Sequence, residues 1–149
     1  MTSYVSVELR RLVTARAEGL CEYCLIHEDD TYLGCQVDHI IAEKHGGPTQ
    51  QDNLAYACTF CNRSKGADLA SILPVSGELV RLFNPRSDHW GDHFSLADGW
   101  IHGQTSIGIV TARTLGFNHP QRILERSSLI NLGRYPHPAS AARISPREG

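Results

Sequence analysis

No stretch of this 149-residue chain approaches the roughly 20 consecutive apolar residues that a membrane-crossing helix needs. The N-terminus lacks the charged-then-apolar pattern of an export signal, so the cytoplasm is the expected address and no membrane partner is expected. Internal repeats, low-complexity tracts and a recognisable helix-turn-helix are also missing. The net charge of −2 gives no global electrostatic reason to expect a polyanionic partner, and it counts against tight, nonspecific DNA binding. What remains is ordinary. A content of 41% hydrophobic and 20% charged residues fits a globular protein, and the length suits a single domain over residues 1–149 with a modest core.

The charge is unevenly spread. Residues 1–110 hold 8 of the 14 basic and 14 of the 16 acidic side chains, and residues 111–149 hold the other 6 basic and 2 acidic ones. This C-terminal excess of positive charge fits a basic face that meets phosphates, and it fits a solvated helix surface equally well. On the first reading Arg113, Arg122 and Arg126 share an exposed face. On the second, the helix turns Ile123, Leu124 and Leu129 inward and leaves its arginines in solvent. In either case Arg122 and Arg126, at i and i+4, are neighbours.

Against this background four cysteines stand out. Cys21-Glu-Tyr-Cys24 and Cys58-Thr-Phe-Cys61 are two C-x-x-C pairs separated by an insert of 33 residues (25 to 57). Each pair can offer two thiolates to one ion from a tight turn, and two such turns complete the closed tetrahedral site that structural zinc prefers. Four buried thiols, two disulfides or a thioredoxin-like redox pair are the competing readings. A doubled spacing with no export signal and a fifth cysteine left over argues for zinc. Cys35, the fifth, lies beside Val37 in an apolar stretch and reads as a small buried hydrophobe.

The elements can be placed around these turns. Ser6 to Glu18 reads as a helix, with Leu9, Leu12, Val13 and Ala17 at helical spacing and Gly19 at its end. Gln36 to Ile41 reads as a strand end, and Gly46-Gly47-Pro48 breaks the chain after it. A short helix from about Thr59 to Leu69 begins within the second cysteine pair. Glu78 to Phe83 alternates like a strand. His93–Leu96 and Trp100–His102 flank the hairpin signal Asp98-Gly99. Thr105 is placed to cap a helix running to Leu115, and Asn118 another, with Pro120 in its first turn and Gly133 just past its end. The expected class is α+β: a β-hairpin and helix stapled by the cysteines, an N-terminal helix, and a C-terminal hairpin plus two helices. The Pro-rich end, residues 136–149, reads as a frayed tail.

Polar residues gather around the cysteine turns. Asp38 is a hard oxygen ligand suited to Mg²⁺. His39, with an unperturbed pKa near ~6.5, is suited to taking a proton from water at neutral pH. Asn62 follows a cysteine directly, so the metal staple positions it, and its carboxamide oxygen is a second hard donor. An adjacent Asp-His on a strand points to opposite faces unless the strand is distorted or ends there. His45, near the Gly-Gly break, reads as an exposed loop residue. Asp88-His89-Trp90-Gly91-Asp92-His93 has the composition of a metal site but reads as a packed turn or a substrate-positioning element.

Together, Cys21-x-x-Cys24, Asp38-His39-Ile40, Gly46-Gly47, Asn53-Leu54 and Cys58-x-x-Cys61-Asn62-x-x-Lys65-Gly66 resemble the HNH endonucleases of the zinc-stapled type, over about residues 16–70. The resemblance implies the ββα-metal fold for that core, with residues 71–135 packed on it as an extension. It implies that His39 is the general base. Asp38 and Asn62 would hold one Mg²⁺ or Mn²⁺ ion at the scissile phosphate, and Asn53 would orient the loop that carries His39. Catalytic roles thus fall on His39, Asn53 and Asn62, and Arg63 and Lys65 are placed to touch neighbouring phosphates of a nucleic acid, DNA above all. The alternative is a catalytically inactive, zinc-ribbon-like module that binds nucleic acid or protein. A redox protein ranks third, because cysteines that hold zinc are not free to cycle.

Overall fold

The structure is a computed structural model and describes residues 4–147. The expected N-terminal helix forms over Val7–Ala17 (α1). Ser6 caps it by accepting the Leu9 amide at 3.2 Å, and Glu18, in the left-handed conformation, ends it. Val13 and Ala17 are its buried face, with Leu9 beside them, and they pack on Leu54 and Tyr56. Leu12, expected on that face, is exposed.

The chain then doubles back at the first cysteine pair. The Leu25 amide donates to the Cys21 carbonyl at 2.9 Å and the Cys21 amide to the Ile26 carbonyl at 2.8 Å, with Leu25 at a positive φ of 65° carrying the turn. Strand β1 (Cys35–His39) pairs antiparallel with β2 (Leu54–Cys58), in a register running from Cys35↔Cys58 to His39↔Leu54. Helix α2 (Thr59–Lys65) follows β2 without a loop, because Cys58 is both the last strand residue and the helix cap. The hairpin-and-helix core expected from the sequence is therefore present. Helix α2 is shorter than expected: Gly66, at φ 50° and ψ −129°, stops it four residues after Asn62.

Beyond α2 come two more hairpins. Strand β3 (Ala70–Ile72) pairs with β4 (Leu79–Arg81). The sequence showed β4 but not its partner, whose three residues are too few for a visible alternation. After a one-turn helix α3 (Trp90–His93), β5 (Phe94–Ala97) and β6 (Trp100–Gly103) form the expected hairpin. Its two-residue turn has positive φ at both Asp98 (51°) and Gly99 (86°), which is the type I′ geometry that Asp-Gly selects. Helix α4 (Ser106–Thr114) is capped by Thr105 as expected, with its hydroxyl accepting the Gly108 amide at 3.0 Å. Phe83, Trp90, Phe94 and Phe117 form an aromatic cluster between these elements, with ring centroids 5.0–5.6 Å apart around Phe94.

Two expectations for the C-terminal part need correction. Helix α5 (Pro120–Asn131) is capped by His119, not Asn118. The Asn118 side chain instead takes both polar groups of Ile101, accepting its amide at 2.9 Å and donating to its carbonyl at 2.8 Å. Residues 136–147 are not a loose end. A 3₁₀ turn (Pro138–Ser140) leads into helix α6 (Ala141–Ile144), where Arg143 donates to the Arg16 carbonyl at 3.0 Å. The anchor is Tyr135, buried next to the first cysteine turn, and its hydroxyl donates to the Cys24 carbonyl at 2.8 Å. Residues 148–149 lie outside the described part. Among the described residues, no helix is long and apolar enough to cross a membrane.

Both readings of the arginines on α5 are also corrected. Arg122 and Arg126 are neither phosphate-facing nor solvated; they are 6% and 2% exposed, whereas Leu124 on the same helix is 67% exposed. Arg126 donates from Nε to the Gly99 carbonyl at 2.7 Å and also reaches the Phe117 carbonyl. Arg113 is exposed, but its guanidinium is held by Ser71 and the Ile72 carbonyl of β3. The helix turns its cations inward because buried carbonyls and sulfurs await them there.

Candidate metal centre and active site

The four cysteines converge as their spacing demanded. Cys21, Cys24, Cys58 and Cys61 are all buried, and their sulfurs lie within 4.8 Å of one another, Cys24 and Cys58 at 3.8 Å. Tetrahedral sites with Zn–S near ~2.3 Å put sulfurs about 3.8 Å apart, so the cluster fits a zinc ion with little adjustment. No disulfide forms: all five cysteines are free. Backbone amides point at the sulfurs, from Cys24 to Cys21 Sγ at 3.5 Å and from Cys61 to Cys58 Sγ at 3.4 Å. Burial pushes the Cys21 and Cys61 thiols up, and hydrogen bonds from the other three sulfurs hold Cys24 down. Such a group cannot hold four negative charges unaided, and a divalent cation removes that conflict. Cys35 is half-buried, and burial first of all drives its pKa up, which fits the hydrophobe reading.

Between the end of β1 and helix α2, Asp38, His39 and Asn62 line one cleft of about 310 Å³, together with Ala42, Glu43, Lys44, Gly66 and Ala67. Adjacent residues share the cleft because β1 ends at His39. The strand stops there because the Asn53 side chain replaces a strand partner. It accepts the Ile41 amide at 3.0 Å and donates to the carbonyls of Ile41 and Pro48, both at 2.9 Å. Asn53 is buried and does not line the cleft; it closes the loop from Ile41 to Pro48 across its base. His39 is 7% exposed, with Nε2 2.9 Å from Thr49 Oγ1 and 3.5 Å from Glu43 Oε1. Burial raises the Asp38 pKa, and Lys65 works against that shift.

Gly47 is the tight point of this loop. A Cβ there would sit 1.8 Å from the Ile41 carbonyl oxygen and 2.8 Å from Asn53 Nδ2. Gly47→Ala is therefore expected to push Asn53 off both carbonyls and cost about 1–3 kcal/mol, as overpacking does. Urea unfolding measures this, and wild-type stability would show that Asn53 does not close the loop.

Lys65 and Arg63 depart from their expected places. Lys65 is 3% exposed, and its ammonium donates to the Ile40 carbonyl at 2.7 Å, so it secures the end of β1 and is not available to a phosphate. Burial lowers its pKa, opposed by Asp38 and then Asp68. Arg63 is exposed but lines a different cleft, of about 440 Å³, on the other side of α2 with Tyr32, Phe60 and Arg122. His45 is exposed, as read. The Asp88–His93 segment packs: Asp88 holds Arg81 at 2.7 and 2.9 Å, and His93 Nδ1 lies 2.7 Å from Thr105 Oγ1. Among the described residues, the four cysteines are the only group of three or more His, Cys, Asp or Glu placed to share an ion.

Several residues of these sites had no sequence signal. Thr49 and Glu43 meet His39 only through the folded loop. Glu22, between the first two cysteines, is buried, ion-paired with Arg86 and bonded to the Tyr56 amide at 2.9 Å. Its partner lies 64 residues away, and no spacing rule links them.

Residues 21–68 match the family model described as HNH endonuclease. The matched segment runs from Cys21 to just past α2, so it contains the whole hairpin-and-helix core and both cysteine pairs. No curated protein and no solved structure matches the chain.

Proposed function

We propose that this chain is a metal-dependent endonuclease that hydrolyses phosphodiester bonds in nucleic acid, with DNA as its substrate. The observation that carries the reading is the single cleft shared by Asp38, His39 and Asn62, built on a cysteine-stapled hairpin and helix within the segment of HNH type. Two oxygen donors, the Asp38 carboxylate and the Asn62 carboxamide, suit a hard divalent ion, Mg²⁺ or Mn²⁺, which keeps water and substrate oxygens as its other ligands. When bound, that ion would offset charge on the reacting phosphate and on the leaving oxygen.

The protein's own residues supply the rest. A His39 tautomer with the proton on Nε2 donates to Thr49 and faces the Glu43 carboxylate, which leaves Nδ1 as the base for a water in the cleft. The same partners stabilise the imidazolium that forms when the proton is taken. Asn53 keeps β1 and the loop after Pro48 in fixed relation, and so keeps the imidazole in line. Lys65 opposes the burial that raises the Asp38 pKa, and so favours its carboxylate form.

The test is cleavage of supercoiled plasmid by purified protein over a titration of Mg²⁺ and of Mn²⁺, beside Asp38→Ala. Wild type is expected to nick the plasmid only with a divalent ion, and Asp38→Ala to need far more of it. Because burial raises the Asp38 pKa, protons compete with the ion, so the ion requirement should rise as pH falls. Binding of plasmid without cleavage at any ion concentration would replace this reading with that of an inactive binding module.

A further inference from the structure

The cysteine cluster has a neighbour from outside the segment that carries it. Arg122 of α5 is 6% exposed, and its Nη2 lies 3.2 Å from Cys61 Sγ and 3.9 Å from Cys58 Sγ. Its Nη1 donates to the Leu115 carbonyl at 2.9 Å and to the Gly116 carbonyl at 3.3 Å. The guanidinium also lies over the Phe60 ring, 4.8 Å from the centroid. The cation is therefore held from several sides, with Nη2 directed at sulfur and Nη1 at backbone carbonyls.

Charge arithmetic gives this contact its meaning. Four thiolates around one Zn²⁺ leave a buried net charge of −2, and a buried charge is costly unless it is paired and hydrogen-bonded. A guanidinium is the side chain suited to that place: permanently charged, weakly hydrated and forked, so that one nitrogen can serve sulfur while another serves backbone carbonyls. Other polar side chains of the extension end on the first cysteine turn of the same cluster. Trp90 Nε1 donates to the Tyr23 carbonyl and the Tyr135 hydroxyl to the Cys24 carbonyl, each at 2.8 Å, and Arg86 pairs with Glu22.

We propose that Arg122 is an outer-sphere donor of the zinc centre, which retains the ion by stabilising the Cys58 and Cys61 thiolates, and that zinc occupancy and the docking of α5 are coupled through it. The coupling is reciprocal: whatever α5 adds to zinc retention, zinc adds to the docking of α5. The inference rests on zinc filling the four-cysteine site, and it is independent of the nuclease reading.

The test uses the full zinc-loaded chain and measures zinc affinity by competition with a chromogenic chelator. Arg122→Gln is expected to weaken zinc binding about 10- to 100-fold, the usual effect of removing a group that hydrogen-bonds a metal ligand. Arg126→Gln is the control. That residue is equally buried on the same helix but donates to carbonyl oxygens and to no sulfur, so its replacement should lower stability and weaken zinc binding far less than Arg122→Gln while the protein is folded. Arg122→Lys keeps the charge and loses the fork. It is expected to remain folded with weakened zinc affinity, and it carries the test if the glutamine variant does not fold. A folded Arg122 variant that holds zinc as tightly as wild type overturns the proposal. So does an Arg126→Gln protein that loosens zinc equally, because the effect would then be one of general stability. Wild-type protein that folds but retains no zinc overturns it as well, whereas a zinc-loaded protein that does not cleave plasmid overturns only the nuclease reading.

Discussion

Replacement of His39 by alanine is expected to lower plasmid cleavage by about 10²- to 10⁴-fold, the range lost when a positioned general base is removed. Zinc content and cooperative unfolding should stay as in wild type. The residue is buried, but its side-chain contacts are few: Thr49 at 2.9 Å and Glu43 of the cleft at 3.5 Å. Removing it leaves the hydrogen bonds that close the loop in place, because those belong to Asn53. The variant therefore separates proton transfer from folding. Cleavage at the wild-type rate by a folded His39→Ala protein would remove His39 from the mechanism. A variant that loses its zinc or its unfolding transition would show that the side chain is structural.

Loss of the zinc is expected to have the larger physical effect. Structural zinc sites bind with about 10–16 kcal/mol, while small domains are stable by only about 5–15 kcal/mol. The four cysteines are also core residues, and Cys58 is the cap on which α2 starts, so no part of the hairpin-and-helix core can keep its place without them. Cys61→Ser, or excess chelator on the wild-type protein, should abolish the cooperative thermal transition and the tertiary near-ultraviolet signal. The effect should reach the extension too, since Tyr135, Trp90 and Arg122 are all bonded to residues of the two cysteine turns. A Cys61→Ser protein that melts sharply and near the wild-type temperature would mean that the cluster is packing and not a metal staple.

The local patterns were legible in the sequence because each depends on near neighbours. Ser6 and Thr105 cap helices through their own hydroxyls, Asp98-Gly99 selects a type I′ hairpin, and two C-x-x-C turns converge on one ion. The set Asp38-His39, Asn53 and Asn62 was legible only through its resemblance, as an ordered motif, to the HNH endonucleases, and the fold brings Asp38, His39 and Asn62 to one cleft with Asn53 buried beside it. Only the tertiary structure decided where the long-range charges go. Arg122 and Arg126 have the spacing of a surface pair, yet both are buried, because the partners that draw them inward are sulfurs and carbonyls as far as 64 residues away. Lys65 has the position of a phosphate contact in the motif, yet the shortness of α2 carries it under the end of β1, onto the Ile40 carbonyl. Periodicity records which face of an element is apolar. It holds no record of an unpaired carbonyl or a thiolate on another element, and burying a cation is favourable only where such a partner is waiting.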